Sequence, residues 1–202
     1  NVNNKNITEV DAQNKLERFR QKNNNYLYPS FNTIAGAGSN GAIVHYRATK
    51  LNTKKINKED IFLCDSGGQY RYGTTDVTRT ICFVKPKQYI KDIFTQVLKG
   101  HIAVALTNLS KDNTGKKIDL RARRYLKKDE LDYAHGTGHG VGFFLNVHEG
   151  PQSISKYNTI KIKKGMILSN EPGFYKKNNF GIRIENLLYV KKIKNTLYFE
   201  NL

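Results

Sequence analysis

Acidic residues are scarce in this 202-residue chain: 17 Asp and Glu stand against 34 Lys and Arg, for a formal net charge of +17. Cysteine is scarcer, with Cys64 and Cys82 alone. Two thiols in no CxxC arrangement exclude a thiolate zinc module. Their place inside apolar runs reads as buried, reduced thiols of a cytoplasmic protein. Long apolar runs are missing too. None approaches the roughly 18 residues of a membrane-spanning helix, so no membrane partner is expected. The first residues are polar and lack the apolar stretch of a signal peptide. The chain opens at Asn1 rather than Met, so a piece of a longer protein is expected.

The basic excess raises the question of nucleic acid. It consists mostly of Lys scattered among Asn, as in Lys54-Lys55, Lys116-Lys117 and Lys191-Lys192. No zinc-finger spacing or RNA-binding signature accompanies it. A solvated surface is the expectation, and nucleic acid is not an expected partner. The Gly-rich turn Gly36–Gly41 lacks the Gly-Lys-Ser/Thr ending of a phosphate loop and reads as a connection.

The segment beginning Thr8-Glu9-Val10-Asp11 predicts a capped helix over residues 8–22. Apolar spacing predicts helices over Ile90–Leu109 and Ile118–Leu131. Strands are predicted at Phe31–Ala35, Ile43–Tyr46, Ile61–Asp65, Thr75–Val84, Met166–Glu171 and Ile182–Val190. Tyr133–Val147, rich in Gly and His, reads as strand and loop. No shift in composition divides the chain, and the mixture of hairpins and separate helices predicts one α+β domain.

Against so few acids, those set inside apolar strands stand out. Asp65 follows Ile61-Phe62-Leu63-Cys64, and Asp76 precedes Val77 and Ile81. Glu171 follows Met166-Ile167-Leu168, and Glu185 follows Ile182-Arg183-Ile184. Carboxylates are rarely buried unless paired or bound to metal. A hairpin turning near Tyr70-Arg71 would set Asp65 opposite Asp76, with Cβ atoms about 5 Å apart. A hairpin turning around Lys177–Asn179 would do the same for Glu171 and Glu185. Facing carboxylates repel each other unless a cation lies between them. Four of them make an oxygen-rich set suited to divalent ions. Of the five histidines, His101 lies in an apolar helix and reads as structural or surface-lying. His45, His135, His139 and His148 lie in Gly-, Tyr- or Glu-rich loops, where one could complete a metal set and others could donate to a reacting peptide.

Several blocks together resemble aminopeptidase P, the Xaa-Pro aminopeptidase branch of peptidase family M24, in the creatinase and methionine aminopeptidase superfamily. They are Asp65-Ser-Gly-Gly-Gln-Tyr, Thr75-Asp76-Val-Thr-Arg-Thr, His135-Gly-Thr-Gly-His139-Gly-Val-Gly, Val147-His148-Glu-Gly-Pro, Asn170-Glu171-Pro-Gly-Phe-Tyr175 and Gly181-Ile-Arg183-Ile-Glu185-Asn. The resemblance runs from about residue 8 to 190. It implies a pita-bread fold, with two pseudo-symmetric α+β halves around a dinuclear metal site. It also implies that residues 1–202 form a catalytic metallopeptidase domain, preceded in longer members by further domains. Asp65, Asp76, His139, Glu171 and Glu185 would hold two divalent ions, manganese foremost, with zinc or cobalt as alternatives. His45, His135, His148 and Glu171 would be catalytic. His45, His135, His148, Tyr175 and Arg183 would lie against substrate, with Tyr175 and Arg183 near the metal pair. The implied reaction is hydrolysis, by a metal-bridging hydroxide, of the bond between an N-terminal residue and a following proline in peptides. A homodimer is the implied assembly.

Overall fold

The computed structural model describes residues 6–144 and 146–202. Residues 1–5 and 145 of the expected domain lie outside the described residues. Helix α1 (Glu9–Arg20) starts at a reciprocal cap. The Thr8 hydroxyl accepts from the Asp11 backbone N–H, and the Asp11 carboxylate accepts from the Thr8 N–H. Strands β1 (Tyr26–Pro29) and β2 (Ile34–Ala37) follow, then a 3-10 turn over Gly38–Ala42. Next come β3 (Ile61–Ser66), β4 (Gly68–Tyr70), β5 (Gly73–Thr74) and β6 (Val77–Cys82). Two helices cross over, α2 (Gln88–Ala105) and α3 (Gly115–Lys127). Short strands β7 (Gly138–His139) and β8 (Ser153–Ile154) precede β9 (Ile167–Asn170), β10 (Gly173–Lys176), β11 (Phe180–Arg183), β12 (Asn186–Ile193) and β13 (Thr196–Asn201). The α+β class is therefore as expected. Among the described residues no helix is long and apolar enough to cross a membrane.

The sheets are antiparallel, in the orders β2-β3-β6, β1-β4-β5 and β13-β12-β9, with β10-β11 and β7-β8 as two-stranded ribbons. Apolar spacing on α2 and α3 buries Val104, Ile118 and Ala122 against Leu168, Leu188, Val190 and Phe199 of the β9-β12-β13 sheet. Ile93, Val97 and Leu126 of the same helices cover Phe174, Phe180 and Ile182 of the β10-β11 ribbon. Each fully buried Leu, Ile or Val contributes about 1.5–3 kcal/mol relative to exposure. These two clusters fix the β9-β12 and β10-β11 pairings that flank Glu171 and Glu185.

Five expectations change. The hairpin over residues 61–84 turns at Arg71-Tyr72, because Tyr70 pairs with Gly73. Asp65 therefore pairs with Thr78, not Asp76. Asp76 sits two residues earlier along the partner strand, a diagonal neighbour on the same face. Ile43–Tyr46 is not a strand: the chain leaves the 3-10 turn there in bends, and the strand expected at Phe31–Ala35 lies at Ile34–Ala37. The strand expected over Ile182–Val190 divides into β11 and β12, with Ile184 and Glu185 in the gap. Finally, Cys64 and Cys82 are free but only partly buried.

Candidate metal centre

The Glu171–Glu185 pairing holds as expected. The β10-β11 ribbon pairs Gly173 with Arg183, and the β9-β12 ladder pairs Asn170 with Asn186. Both ladders share one register, and the two glutamates face each other in the gap between them. The turn of the ribbon is closed by Asn178, whose positive φ of 58° suits Asn in a tight loop. His139 arrives on β7, which packs on β9. A Cβ on Gly138 would collide with the Ser169 carbonyl oxygen, so glycine permits that approach.

Asp76, His139 and Glu185 each offer a ligand atom, all within 4.8 Å of one another. His139 Nε2 lies 3.3 Å from Asp76 Oδ2 and 3.3 Å from Glu171 Oε1. Its other nitrogen, Nδ1, is 2.9 Å from the Gly140 carbonyl and donates to it. That bond selects the tautomer whose Nε2 lone pair faces the carboxylates, as a metal-ligating histidine needs. Asp65 completes the group from β3. Its Oδ2 accepts from Arg183 Nη2 at 2.7 Å, while its Oδ1 is buried without a hydrogen-bond partner.

The electrostatics ask for cations. Burial pushes the Glu171 carboxyl up to about 7, with the Asp76 and Asp65 charges adding to the rise and His139 and Arg183 opposing it. Burial, then the charges of Glu171, Asp76 and Asp65, hold Glu185 well above the usual carboxylate range. Burial also raises Asp65 against the pull of Arg183. For His139, burial works downward, but the Asp76 hydrogen bond and the Glu171 charge outweigh it and raise the ring. Four carboxylates against one guanidinium leave a buried negative excess that two divalent ions would neutralise. The donor set, the orphaned Asp65 oxygen and the His139 tautomer all fit such ions.

These residues open onto a cavity of about 550 Å3 that His45, His135, His148 and Arg183 also line. His148 lies over His139, ring centroids 3.9 Å apart, and burial followed by the His139 charge lowers its pKa. His45 lies exposed at the cavity wall. His135 has both nitrogens engaged within the chain: Nδ1 lies 2.7 Å from the Gly136 carbonyl and Nε2 2.8 Å from Tyr175 Oη. It turns its ring, not a free N–H, toward the cavity, and burial pushes it down to about 4. Tyr175 does not line the cavity. Its hydroxyl accepts from Arg183 Nη1 at 2.6 Å and holds His135 from behind. Arg183, 2% exposed, also donates from Nε to Thr78 Oγ1 at 3.2 Å. Tyr175 and Arg183 thus act on the centre through its members.

Sequence reasoning missed the supporting frame. Thr78 Oγ1 donates to Glu185 Oε2 at 2.7 Å, and Ser169 Oγ donates to Glu171 Oε1 at 3.0 Å. Helix α3 contributes Arg123, which reaches Asp119, Asp132 and the carbonyls of Tyr133 and His135, while Asp119 accepts from Thr137. His101, expected to have no tie to the site, is buried, and its Nδ1 lies 3.0 Å from the Asn170 carbonyl. The Thr78 and Ser169 positions have the strand alternation that could have marked them, and His101 has no such signal.

Comparison with known proteins identifies the family. The profile of metallopeptidase family M24 matches residues 2–192. The probable Xaa-Pro aminopeptidase P of Paracoccidioides lutzii is 47% identical over 196 residues, 96% of this chain and 32% of that protein. An uncharacterized peptidase of Schizosaccharomyces pombe is 50% identical over 190 residues, 93% of this chain and 32% of that protein. Among solved structures, the X-prolyl aminopeptidase of Caenorhabditis elegans, described as a cytosolic enzyme with a di-nuclear active site, superposes with a TM-score of 0.89 at 38% identity, covering 96% of this chain and 33% of that one. The prolidase of Pyrococcus furiosus gives 0.83 at 29% identity, covering 96% and 54%. The chain spans about a third of the length of the curated relatives it matches. Its fold is the pita-bread α+β fold of these enzymes, and the chain belongs to metallopeptidase family M24.

Proposed function

We propose that this chain is the catalytic domain of a metal-dependent aminopeptidase that releases an N-terminal residue followed by proline. The observation that carries the reading is the His139 tautomer, with Nε2 aimed at Asp76 and Glu171 beside the partnerless Asp65 Oδ1. Asp65 would hold one divalent ion, Asp76 and Glu185 both, and His139 with Glu171 the second. Manganese is the proposed metal, with zinc and cobalt as alternatives. Bound there, such ions supply Lewis acidity to the scissile carbonyl and lower the pKa of water.

The chain's own residues would do the rest. His148, neutral near pH 7 because its pKa is lowered, can donate an N–H to the oxygen that gains charge in the transition state. His45 stands on the wall of the same cavity for the same use. Glu171 has Oε1 occupied by Ser169, and its Oε2, 4.0 Å from His135 Nδ1, is the atom left to carry a proton to the leaving nitrogen. That nitrogen belongs to proline, a ring without an N–H. The flat face of His135, pinned by Tyr175, suits an apolar ring better than a hydrogen-bonding group would.

The whole protein is proposed to be a cytoplasmic homodimer with further domains before this one. The unpaired cysteines and the cytosolic worm relative support the location; the dimer rests on the family resemblance. Metal content and peptidase activity measured in parallel on the purified protein test the reading. Two divalent ions per chain with metal-dependent release of the first residue are expected. A stable, metal-free protein that turns over nothing would overturn it in favour of a catalytically silent relative.

A further inference from the structure

Helix α2 carries a polar side chain in the middle of its buried face. His101 sits 7% exposed on the surface that buries Val97 and Val104, away from the cavity. Its Nδ1 lies 3.0 Å from the Asn170 carbonyl, and Asn170 Nδ2 donates back to the His101 carbonyl at 2.9 Å. Asn170 is the residue immediately before Glu171.

The local backbone gives that position its significance. Ladder pairing stops at Asn170–Asn186 on one side and resumes at Gly173–Arg183 on the other. Both glutamates lie in the interruption. The backbone bond that crosses it, from Ile184 N to Pro172 O, is long at 3.3 Å. Elsewhere the two segments lean on different neighbours, Glu171 N on the Thr137 carbonyl and Glu185 N on the Thr78 carbonyl. His101 holds the first of them, at Asn170, from beneath.

We propose that His101 is a positioning residue, whose reciprocal hydrogen bonds with Asn170 fix the segment that presents Glu171 and so set how that carboxylate meets Asp76, His139 and Glu185 around one pair of cations. The inference rests on the metallopeptidase reading above. A histidine that merely fills the core would influence stability alone. A clamp acting on a ligand-bearing segment would influence the metal centre as well, as groups that orient metal ligands do.

The test uses the full-length protein with Mn2+ as the probe and three variants, His101→Leu, His101→Asn and His101→Gln. Asparagine places an amide nitrogen where Nδ1 sits, and glutamine places one where Nε2 sits. Calorimetric Mn2+ titration and the electron paramagnetic resonance of the coupled ion pair are read beside the melting temperature. His101→Leu is expected to weaken Mn2+ binding about 10- to 100-fold and to diminish the coupled-pair signal. His101→Asn is expected to fall between His101→Leu and the unsubstituted protein. Binding of two Mn2+ with unchanged affinity and an unchanged coupled signal by His101→Leu, or by both polar variants should the leucine variant not fold, would overturn the inference. Failure of the unsubstituted protein to bind Mn2+ would instead bring down the metallopeptidase reading, which separates the two outcomes.

Discussion

Arg183 Nη2 donates to Asp65 Oδ2 at 2.7 Å, and the other oxygen of Asp65 is buried with no hydrogen-bond partner. The guanidinium therefore neutralises and orients Asp65 without using up its ligating capacity. The same group reaches Tyr175 and Thr78, and through Tyr175 it holds the His135 ring. One side chain thus links a metal-facing carboxylate to the cavity wall.

Replacing it separates these contributions. Arg183→Met leaves Asp65 buried without its counter-charge, a loss of about 3–5 kcal/mol in the metal-free protein. With Mn2+ bound the loss shrinks, because the ions compensate the same carboxylate. Denaturant unfolding with and without Mn2+ checks this. An equal loss in both states would mean that Asp65 does not face the metal.

The raised carboxyls give a pH dependence. Glu171 rises from an ordinary value of 4.5 to about 7, and burial raises Asp65 and Glu185 in the same direction. A carboxyl that holds its proton more tightly when folded favours the fold below its unfolded pKa. That advantage is lost as pH rises from about 4.5 toward 7. His139, raised from 6.5, acts in the same sense above that pH, whereas His135, lowered to about 4, costs stability below it. The metal-free protein therefore pays its charge penalty at alkaline pH. The rise in melting temperature on adding Mn2+ is expected to be larger at pH 8 than at pH 5.5. A rise independent of pH would argue against metal binding to these carboxylates.

His139 and His148 lie ring against ring at a tilt of 41°, and different work is predicted for them. His139→Ala is expected to lower metal affinity and activity together. His148→Ala is expected to keep the metal and lose about 10²-fold or more in kcat/KM, the scale of a lost oxyanion donor. Metal analysis and steady-state rates on both variants check the division. Loss of metal from the His148 variant would reassign it as a ligand.

Much of the centre was legible in the sequence, because acids are rare here and four of them interrupt apolar strands. Glu171 and Glu185 could be paired because a single short loop, Lys177–Asn179, separates two evenly patterned strands. The turn centre lies one residue beyond the expected one, which shifts the partner of Asp65 by two, because Gly68, Tyr70, Arg71 and Gly73 allow several turn centres and only the real pairing selects Arg71-Tyr72. Ile43–Tyr46 has strand composition, but the Glu9 carboxylate captures Tyr46 Oη at 2.8 Å and Asn40 Nδ2 at 3.0 Å and holds the segment as bends. His101 was illegible for a different reason. Its partner Asn170 is 69 residues away, and nothing in helical spacing distinguishes a histidine that holds a distant strand end from one that fills a gap.

Substrate length tests the central claim most directly. The purified full-length protein, loaded with Mn2+, is offered an Xaa-Pro-Pro tripeptide and the matching Xaa-Pro dipeptide, before and after chelation. Release of the first residue from the tripeptide is expected at a rate well above that from the dipeptide, lost on chelation and restored by Mn2+. Cleavage of the dipeptide alone, as a prolidase would give, or cleavage that survives removal of the metal, would contradict it.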